Sequence, residues 1–470
     1  MTLSITPKSF AQWVANKVPS HSFLSTTRIP SQSIVCRRVQ LLSSPISRQD
    51  MALASVAEFL RRMRLDFFLT STMQRTRILG CNTSSITFSG DVPEINHPDT
   101  EDALRQASRI LHAQQCVAFP TETVYGLGAL ALDPTAASRI FSTKGRPPDN
   151  PLIVHVSSRS MLQRLLPTTY TIPPIYEILM KHFWPGALTL LFPTDPSLVP
   201  SICTAGHPTV AVRMPSHPVA RALIAIADAP IAAPSANSSG KPSPTRAQHV
   251  FKDLDGKLEL ILDGGACDVG LESTVVDGLN EDGHLRVLRP GGVTVEDLER
   301  VLKAELDGQG PVPRVLVHKR DYKDEEMEQT PTTPGMKYKH YSPTVPVVLA
   351  CAVSSPPLGV EPITVKSLFE NLKRGQVPNG KEFRIGILAT SDSVLARQLR
   401  DIEDVSATSY SLGPEAKPFL AAQRLFDGLL TLDQAGVDVI VAEELREECE
   451  GLAFMNRLRK AAGESVWIQV

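Results

Sequence analysis

The chain has 470 residues, of which 42% are hydrophobic and 21% charged, so it can fold into roughly two or three domains with cores of their own. A formal net charge of −2 argues against a protein whose whole surface binds nucleic acid and leaves room only for a local basic groove. Seven cysteines occur without a CxxC pair or a His/Cys cluster at metal spacing, which argues against a disulfide scaffold and a structural zinc site and indicates a reducing compartment. No membrane span is predicted, because Arg221, Asp228 and Pro230 interrupt the apolar stretch 219–234.

Residues 1–80 differ from the rest of the chain in charge. They contain eleven Lys and Arg against three Asp and Glu, including an arginine cluster at 61–64 beside apolar residues. This bias resembles a mitochondrial presequence. A disordered basic tail, or sequence upstream of a later start at Met51, Met63 or Met73, explains it equally well. We therefore predict a cytoplasmic protein that is also mitochondrial if this segment acts as a presequence.

The stretch 116–155 contains the densest run of polar candidates. Its apolar residues 117–119 end at a proline, which is typical of a buried strand that delivers the next polar side chains, beginning with Thr121, to a sheet edge. Asp133 and Pro134 then provide a cap and a first helical residue, so a helix is predicted to begin there.

The predicted helix ends in a turn that holds two cations, Lys144 and Arg146, around a glycine and before two prolines. We expect this turn to be rigid and exposed and to bind an anion. Asn150 follows it and leads into a second predicted strand, 152–156, which carries His155. A hydroxyl-bearing strand edge facing a cationic turn predicts a site for a polyanion beside a small polar molecule.

Residues 126–131 match the GxGxxA pattern of dinucleotide-binding folds. That fingerprint requires the glycines to open a helix directly, whereas here the helix is predicted to begin only at Asp133. We therefore reject the match and expect side-chain cations and hydroxyls to hold any nucleotide.

Two further arginines repeat the arrangement of Arg146, because a proline follows Arg213 two positions on and Arg289 one position on. Three arginines fixed in this way predict a preorganised anion pocket. For Arg213, at the end of the predicted strand 209–213, an ion pair with a structural carboxylate explains the pattern equally well.

The segment 234–245 is rich in Ser, Pro and Gly, a composition typical of a linker. It follows a predicted buried strand, however, and ligands of α/β sheets bind at loops that follow strands. Its polar residues Ser235, Asn237 and Thr245 are therefore candidates for ligand contact.

Seven motifs occur in the order and approximate spacing of the YrdC/Sua5 family of threonylcarbamoyl-AMP synthases: PTETVYGLG, KGRPPDNPLIVH, TVAVRMP, APSANSSGKPSPT, ESTVVDG, LRPGG and KYKHYSP. The resemblance covers roughly residues 95–470. The segment 451–462 resembles the end of Sua5 proteins, which distinguishes the chain from the single-domain YrdC branch.

The resemblance implies an α/β fold with a YrdC-like twisted mixed sheet and flanking helices, plus a smaller Rossmann-like parallel α/β Sua5 domain. Strand and helix patterns alternate after residue 344, which also predicts a small parallel sheet. We interpret this part as a regulatory or docking domain without chemistry of its own. The predicted organisation is a basic extension at 1–80, a catalytic domain at 95–305, a linker and lid at 306–343 and a C-terminal domain at 344–470.

The resemblance further implies a nucleotidyltransferase that converts L-threonine, bicarbonate and ATP, with Mg²⁺, into L-threonylcarbamoyl-adenylate and pyrophosphate. The adenylate would pass to a separate transferase complex that modifies adenosine 37 of ANN-decoding tRNAs, with weak direct binding of tRNA or double-stranded RNA as a further expectation. The alternative is a non-catalytic RNA-binding protein that uses the basic concave face of the same fold.

Carried onto this sequence, the resemblance assigns site residues in three groups. The catalytic cations are Lys144 and Arg146. The threonine-binding residues are Thr121, His155, Arg213, Ser235, Ser273 and Thr274, with the choice between the last two open. The ATP-binding residues are Lys144, Asn150, Thr209, Asn237, Thr245, Arg289, His340 and Tyr341, the final two as part of a lid.

Overall fold

The computed structural model describes residues 75–308, 310–322, 340–376, 382–402 and 405–469. The predicted targeting segment before residue 75, and the part of the KYKHYSP motif before His340, lie outside these ranges and stay predictions. Among the described residues, no helix has both the length and the apolar character needed to cross a membrane.

The first part of the described chain, up to residue 322, is a mixture of strands and helices. Its strands are β1 (Arg77–Gly80), β2 (Ile86–Ser89), β3 (Val92–Ile95), β4 (Val117–Phe119), β5 (Gly126–Leu130), β6 (Ile153–His155), β7 (Leu188–Pro193), β8 (Thr209–Arg213), β9 (Ile231–Ala232), β10 (Leu260–Asp263), β11 (Thr274–Asp277), β12 (Leu285–Arg289) and β13 (Val315–Val317). Its helices are α1 (Pro98–His112), α2 (Pro134–Lys144), α3 (Arg159–Gln163), α4 (Pro174–Phe183), α5 (Ser201–Thr204), α6 (Pro218–Ala227), α7 (Ala247–Leu254) and α8 (Val295–Leu306).

Eleven of these strands form one mixed sheet in the order β1-β10-β4-β5-β9-β6-β8-β7-β11-β12-β13, while β2 and β3 form a separate hairpin. At the centre, β6 pairs parallel with β8, and β9 and β7 flank them antiparallel. The sheet and the helices on it enclose one large apolar core. The predicted mixed-sheet fold class is confirmed.

The predicted helix start at Asp133 is confirmed. The Asp133 carboxylate accepts hydrogen bonds from the backbone amides of Thr135 and Ala136 at 2.8 and 3.0 Å, and α2 ends at Gly145, whose φ of 62° stops the helix. The glycines before this helix lie in β5, as expected when the dinucleotide pattern was rejected. A Cβ on Gly128 would lie 2.5 Å from the Phe119 ring, so close strand packing accounts for that glycine.

The second part of the described chain, from residue 340, forms a six-stranded parallel sheet in the order β15-β19-β14-β18-β16-β17. Its strands are β14 (Val347–Cys351), β15 (Ile363–Thr364), β16 (Arg384–Ala389), β17 (Ser406–Ser411), β18 (Val439–Glu443) and β19 (Glu464–Gln469). Its helices are α9 (Val365–Gln376), α10 (Val394–Arg400), α11 (Pro418–Gln434) and α12 (Glu450–Ala461). The predicted parallel sheet is confirmed.

The first sheet is wider than the predicted range 95–305. Strand β1 pairs with β10, with Arg77 opposite Leu260, so residues 77–80 belong to the sheet rather than to the basic extension. At the other end, β13 pairs with β12. Both are short edge strands. β1 is largely exposed and lacks a continuous apolar run, and β13 is an apolar run of only three residues within a stretch whose polar composition predicts a linker.

The two parts of the described chain share a core. Val124 and Leu271 from the first part lie in the same buried cluster as Leu425 and Phe426 of α11. The contact is close enough that a Cβ on Gly270 would lie 2.2 Å from the carbonyl oxygen of Gln423. The second part is therefore packed against the first rather than tethered to it.

Candidate active site

A small cavity of about 50 Å³ lies where the central strands of the first sheet meet the segment that begins at His340. Nine of the predicted site residues line it: Thr121, Arg146, His155, Arg213, Ser235, Ser273, Arg289, His340 and Tyr341. The three arginines that precede prolines are among them, so the structure brings the predicted anion pocket together from positions far apart in sequence.

Strand register explains how these side chains converge. In the parallel pair β6 and β8, His155 lies opposite Arg213, and Thr189 on β7 lies opposite Arg213 on the other side. The hydroxyl of Ser273, just before β11, lies 2.7 Å from that of Thr189. Ser235 follows the end of β9 and bridges to Gly126, at the start of β5. Neighbouring strand ends therefore place His155, Arg213, Ser235 and Ser273, from four segments, around one cavity.

Both interpretations left open for Arg213 describe part of its environment. Its Nη2 pairs with the buried carboxylate of Glu122, its Nη1 donates to the Thr123 hydroxyl at 2.8 Å, and its Nε donates to the carbonyl of Gly186 at 3.1 Å. The guanidinium also lines the cavity. A structural carboxylate thus fixes the fork, and the fixed fork faces the cavity.

Arg146 and Arg289 are held by neutral carbonyl groups. Arg146 donates to the carbonyls of Asn150 and Pro151, the latter at 2.9 Å, and Arg289 donates to the carbonyl of Ser273 from Nε and Nη2 at 3.1 and 2.9 Å. Burial lowers the pKa of each arginine to about 10, so both stay protonated at neutral pH.

The expectation that Lys144 and Arg146 are exposed is wrong, since their residues are only 4% and 8% accessible. The loop after β9 covers the turn, and the Lys144 ammonium donates to the backbone carbonyls of Ser235 and Asn237. Burial, followed by the charge of Arg146, lowers the pKa of Lys144 well below its usual value.

Two buried histidines are neutral. Burial, together with nearby cations, lowers the pKa of both His155 and His340 to about 3. Nδ1 of His155 lies 3.2 Å from the carbonyl of Ile153, which fits a neutral ring protonated on Nδ1 with Nε2 as an acceptor. The ring of His340 packs edge-on against Tyr341, with 4.1 Å between centroids, and burial raises the pKa of that tyrosine to about 12.

Three buried polar atoms in this region have no hydrogen-bond partner in the part of the chain that the structure describes. They are Oδ1 of Asn150, Oδ1 of Asn237 and Nδ1 of His340. An unpartnered buried polar atom costs about 1–3 kcal/mol, so such atoms are uncommon away from ligand sites. All three belong to residues predicted to contact ATP.

A second cavity of about 360 Å³ lies beside the first. Its lining combines the loop after β9, helices α7 and α11 and residues 343–345, and includes Asn237, Lys241, His249 and Asp433. Lys144 lies between the two cavities, because its ammonium binds the carbonyl of Ser235, which lines the smaller one, and that of Asn237, which lines the larger one.

Five predicted residues line neither cavity: Lys144 and Asn150, described above, and Thr274, Thr245 and Thr209. The Thr274 hydroxyl donates to the carbonyl of Val293, so the structure favours Ser273 in the choice left open between them. Thr245 is buried and its backbone amide donates to Nδ1 of His249 at 3.3 Å, which places it behind the wall of the larger cavity. Thr209 begins β8, opposite Pro193.

Sequence reasoning missed two buried glutamates. Glu122 holds Arg213, and Glu272 lines the cavity and accepts a hydrogen bond from the Ser243 hydroxyl at 2.7 Å. Burial alone would raise the pKa of Glu272, but the positive charges of Arg457 and Arg289 lower it to about 2. The one available signal was position, since each glutamate lies inside a motif, PTET or EST, that sequence analysis had singled out.

Comparison with known proteins identifies the family of this chain. Residues 109–291 match a family model described as "Telomere recombination", for Sua5, YciO and YrdC proteins, and residues 293–463 match the threonylcarbamoyl-AMP synthase C-terminal domain. The threonylcarbamoyl-AMP synthase of Schizosaccharomyces pombe is 41% identical over 431 residues, covering 82% of this chain and 97% of the relative. That of Pyrococcus abyssi is 42% identical, covering 77% and 94%.

A solved structure from the same family is similar to this chain in fold as well as in sequence. The crystal structure of P. abyssi Sua5 complexed with L-threonine is 37% identical, covers 84% of this chain and 100% of that chain, and superposes with a TM-score of 0.63. The resemblance noted in the motifs is confirmed. The chain belongs to the Sua5 family of threonylcarbamoyl-AMP synthases.

Proposed function

We propose that this protein is a nucleotidyltransferase that forms L-threonylcarbamoyl-adenylate and pyrophosphate from L-threonine, bicarbonate and ATP. The observation that carries the proposal is the convergence of Arg146, Arg213 and Arg289 on one buried cavity, with Lys144 between that cavity and a larger one. Two relatives that match along most of this chain are named threonylcarbamoyl-AMP synthase, which supports the proposal.

The smaller cavity suits L-threonine, the ligand of the similar P. abyssi structure. The Arg213 fork is aimed by Glu122 and can bind a carboxylate. Neutral His155 offers an acceptor for the amine, and Thr121 and Ser273 supply hydroxyls for the polar side chain. Each proposed contact comes from a residue that other parts of the protein already hold in place.

The larger cavity suits the adenosine of ATP, with the phosphates directed back toward Lys144, Arg146 and Arg289. Its walls come from the loop after β9 and helix α7 of the first part of the chain, and from residues 343–345 and helix α11 of the second. The unpartnered Oδ1 atoms of Asn150 and Asn237 would accept hydrogen bonds from this ligand or from water around it.

The reaction has two steps. The neutral threonine amine attacks bicarbonate, a C–N bond forms, and water leaves to give a carbamate. A carbamate oxygen then attacks the α-phosphorus of ATP, and the bond to the bridging oxygen of pyrophosphate breaks. Both reactants of the second step are anions. Positioning, the fixed positive charge of Arg146 and Arg289, and hydrogen bonding by Lys144 therefore supply most of the catalysis.

Mg²⁺ is proposed to enter with ATP. The described residues offer no cluster of three His, Cys, Asp or Glu side chains that could hold a metal on its own, and Mg²⁺ in nucleotide sites is commonly held by phosphates and water. Oδ1 of Asn150 is a suitable acceptor for one such water. The ion would neutralise charge on the leaving pyrophosphate.

His340 and Tyr341 are proposed to form a lid over the nucleotide. Both line the smaller cavity of about 50 Å³ and form part of its wall. Closure over ATP would exclude water from an acyl-adenylate that hydrolyses readily. We propose that the adenylate then passes to a tRNA threonylcarbamoyl transferase complex.

The experiment measures pyrophosphate release by the full chain while each substrate is omitted in turn. We expect release only when L-threonine, bicarbonate, Mg²⁺ and ATP are all present. Equal release without threonine would contradict the synthase assignment. Absence of release combined with tight RNA binding would support the alternative of a non-catalytic RNA-binding protein.

A further inference from the structure

Arg457, on α12 of the C-terminal domain, is the largest side chain among the described residues with less than 2% exposure. Burying a guanidinium is costly unless its charge and hydrogen bonds are matched. Its partners therefore indicate what the burial achieves. Sequence reasoning assigned no chemistry to this domain.

The partners of Arg457 lie mostly in the other domain. Its Nε donates to Oε2 of Glu272 at 3.1 Å, and its Nη1 donates to the carbonyl of Pro290. A longer contact of 3.4 Å returns to Ala453 of its own helix. One guanidinium thus joins two segments of the catalytic domain, and its planar fork makes both contacts at once.

Those two segments carry active-site residues. Glu272 precedes Ser273 and accepts the Ser243 hydroxyl on its other oxygen, while Pro290 follows Arg289. Arg289 in turn donates to the carbonyl and to the hydroxyl of Ser273, at 2.9 and 3.2 Å from Nη2. Displacing the Glu272 segment would therefore shift the threonine-side hydroxyl of Ser273 most directly, and displacing Pro290 would shift the phosphate-side cation Arg289 most directly.

The C-terminal end of α12 also holds the lid. The backbone amide of His340 donates to the carbonyl of Lys460 at 3.4 Å, and the Ser342 hydroxyl donates to the carbonyl of Ala461 at 3.3 Å. One helix therefore contacts three walls of the cavity: the segment with Ser273, the segment with Arg289, and the lid.

We propose that Arg457 is a positioning residue for adenylate formation, through which the C-terminal domain sets the relative placement of Ser273 and Arg289. It acts through Glu272 and Pro290 and does not touch the substrates. The proposal rests on the proposed function, because the rate of adenylate formation is the measurement that detects a change in the relative placement of Ser273 and Arg289.

The test compares variants of the full chain for pyrophosphate release, thermal unfolding and calorimetric binding of L-threonine. Arg457→Met keeps the apolar stem and removes the fork. We expect kcat/KM for ATP to fall by about 100-fold or more, since a misplacement of about 1 Å costs on this order. Arg459→Met is the matched control on the same helix, because Arg459 is exposed and pairs with Glu447. It should keep wild-type kinetics.

Two further variants separate positioning from loss of folding. In Arg457→Lys, the ammonium can reach Glu272 but cannot also reach Pro290, so KM for ATP should rise by about tenfold while threonine binding changes little. In the double variant Glu272→Gln/Arg457→Met, no buried carboxylate is left unpaired. It should therefore unfold at a higher temperature than Arg457→Met alone and still be slow.

Threonine-dependent activity within threefold of wild type in folded Arg457→Met, or in the folded double variant, would overturn the proposal. Equal increases in Arg457→Lys of KM for ATP and of the dissociation constant for threonine would also overturn it, because that result describes general loosening. A wild-type protein without threonine-dependent release would overturn the proposed function as well, so the two failures are distinguishable.

Discussion

The regions of the two sheets where a ligand is expected differ in whether their buried polar groups have hydrogen-bond partners. At the carboxyl edge of the C-terminal sheet, Glu443 accepts hydrogen bonds from the backbone and hydroxyl of Thr390, both at 3.0 Å, and from the hydroxyl of Ser393 at 2.6 Å. Glu444 accepts two backbone amides from the loop after β14, at 3.0 and 2.8 Å. α/β sheets commonly bind ligands at this edge, yet here residues of the same domain satisfy these two acids.

The region around the cavity of the catalytic domain shows the opposite pattern. Asn150, Asn237 and His340 each bury a polar atom without a partner in the described chain, and three arginines face one space. A group left unpaired in this way costs folding free energy unless a ligand or water completes it. Unpartnered buried atoms also occur elsewhere among the described residues, as at Trp467 in the C-terminal sheet. The site is therefore located by such atoms lying beside three convergent arginines, rather than by sheet topology.

The largest effect is expected at Lys144. Lys144→Met removes the ammonium between the two cavities while keeping an unbranched apolar stem, so pyrophosphate release should fall about 100- to 1,000-fold. Lys366→Met, on the exposed face of the C-terminal domain, is the matched control and should leave the rate unchanged. Steady-state kinetics under saturating substrates check both, and more than a tenth of wild-type activity in Lys144→Met would argue against its assigned role.

The next effect is a pH dependence at Glu272. Its pKa is lowered from an ordinary 4.5 to about 2, so ionised Glu272 stabilises the fold above pH 4.5 and this stabilisation is lost as pH falls toward 2. Glu272→Gln should therefore cost about 3 kcal/mol of unfolding free energy at pH 7, and the difference from wild type should shrink as pH falls below 4.5. Urea titrations at pH 7, 5 and 3 check this, and a difference that does not depend on pH would contradict it.

A smaller effect is expected where the domains touch. Gly270 has a φ of +71°, and an added Cβ would lie 2.2 Å from the carbonyl oxygen of Gln423. Gly265 has a φ of +92° but open space around it. Gly265→Ala therefore measures backbone strain alone, and Gly270→Ala should lose about 1 to 3 kcal/mol more, with reduced activity.

Equal unfolding free energies for these two glycine variants, measured in urea, would show that the domain contact accommodates the added Cβ without loss of stability. The close packing inferred between Gly270 and α11 would then be incorrect.

The smallest effect is expected at the C-terminal sheet. Glu443→Gln replaces an acceptor by a donor next to Thr390 and Ser393, so it should cost about 1 kcal/mol of unfolding free energy and leave pyrophosphate release unchanged. Urea denaturation measures the loss of stability, and the kinetic assay measures the rate of pyrophosphate release. A loss of activity greater than threefold would mean that this edge contributes to the reaction and that the contrast between the sheets is wrong.

Local signals in the sequence predicted a good part of the site. Asp133 and Pro134 fix the start of α2, and the prolines after Arg146, Arg213 and Arg289 mark three cations that the structure places around one cavity. These features depend on neighbours within a few residues, so they can be interpreted before the fold is known.

The rest depends on contacts between distant residues. Lys144 is buried by carbonyls more than 90 positions away, and the pair of Glu272 with Arg457 joins residues 185 positions apart. Edge strands are hard to predict for a different reason. β17, with the sequence SATSYS, is partly exposed and lacks an apolar run, so its pattern does not indicate a strand. The local sequence pattern therefore predicts neither the long-range contacts nor the exposed edge strands.

The most direct test is a crystal structure of the full chain with L-threonine and a non-hydrolysable ATP analogue. We expect Asn150 Oδ1, Asn237 Oδ1 and His340 Nδ1 each to gain a hydrogen bond to ligand or ordered water, while Glu443 keeps its present partners. A nucleotide bound at the C-terminal sheet, or a structure in which these three atoms stay unpaired beside bound ligand, would contradict the claim that unsatisfied polar atoms beside the three convergent arginines mark the site.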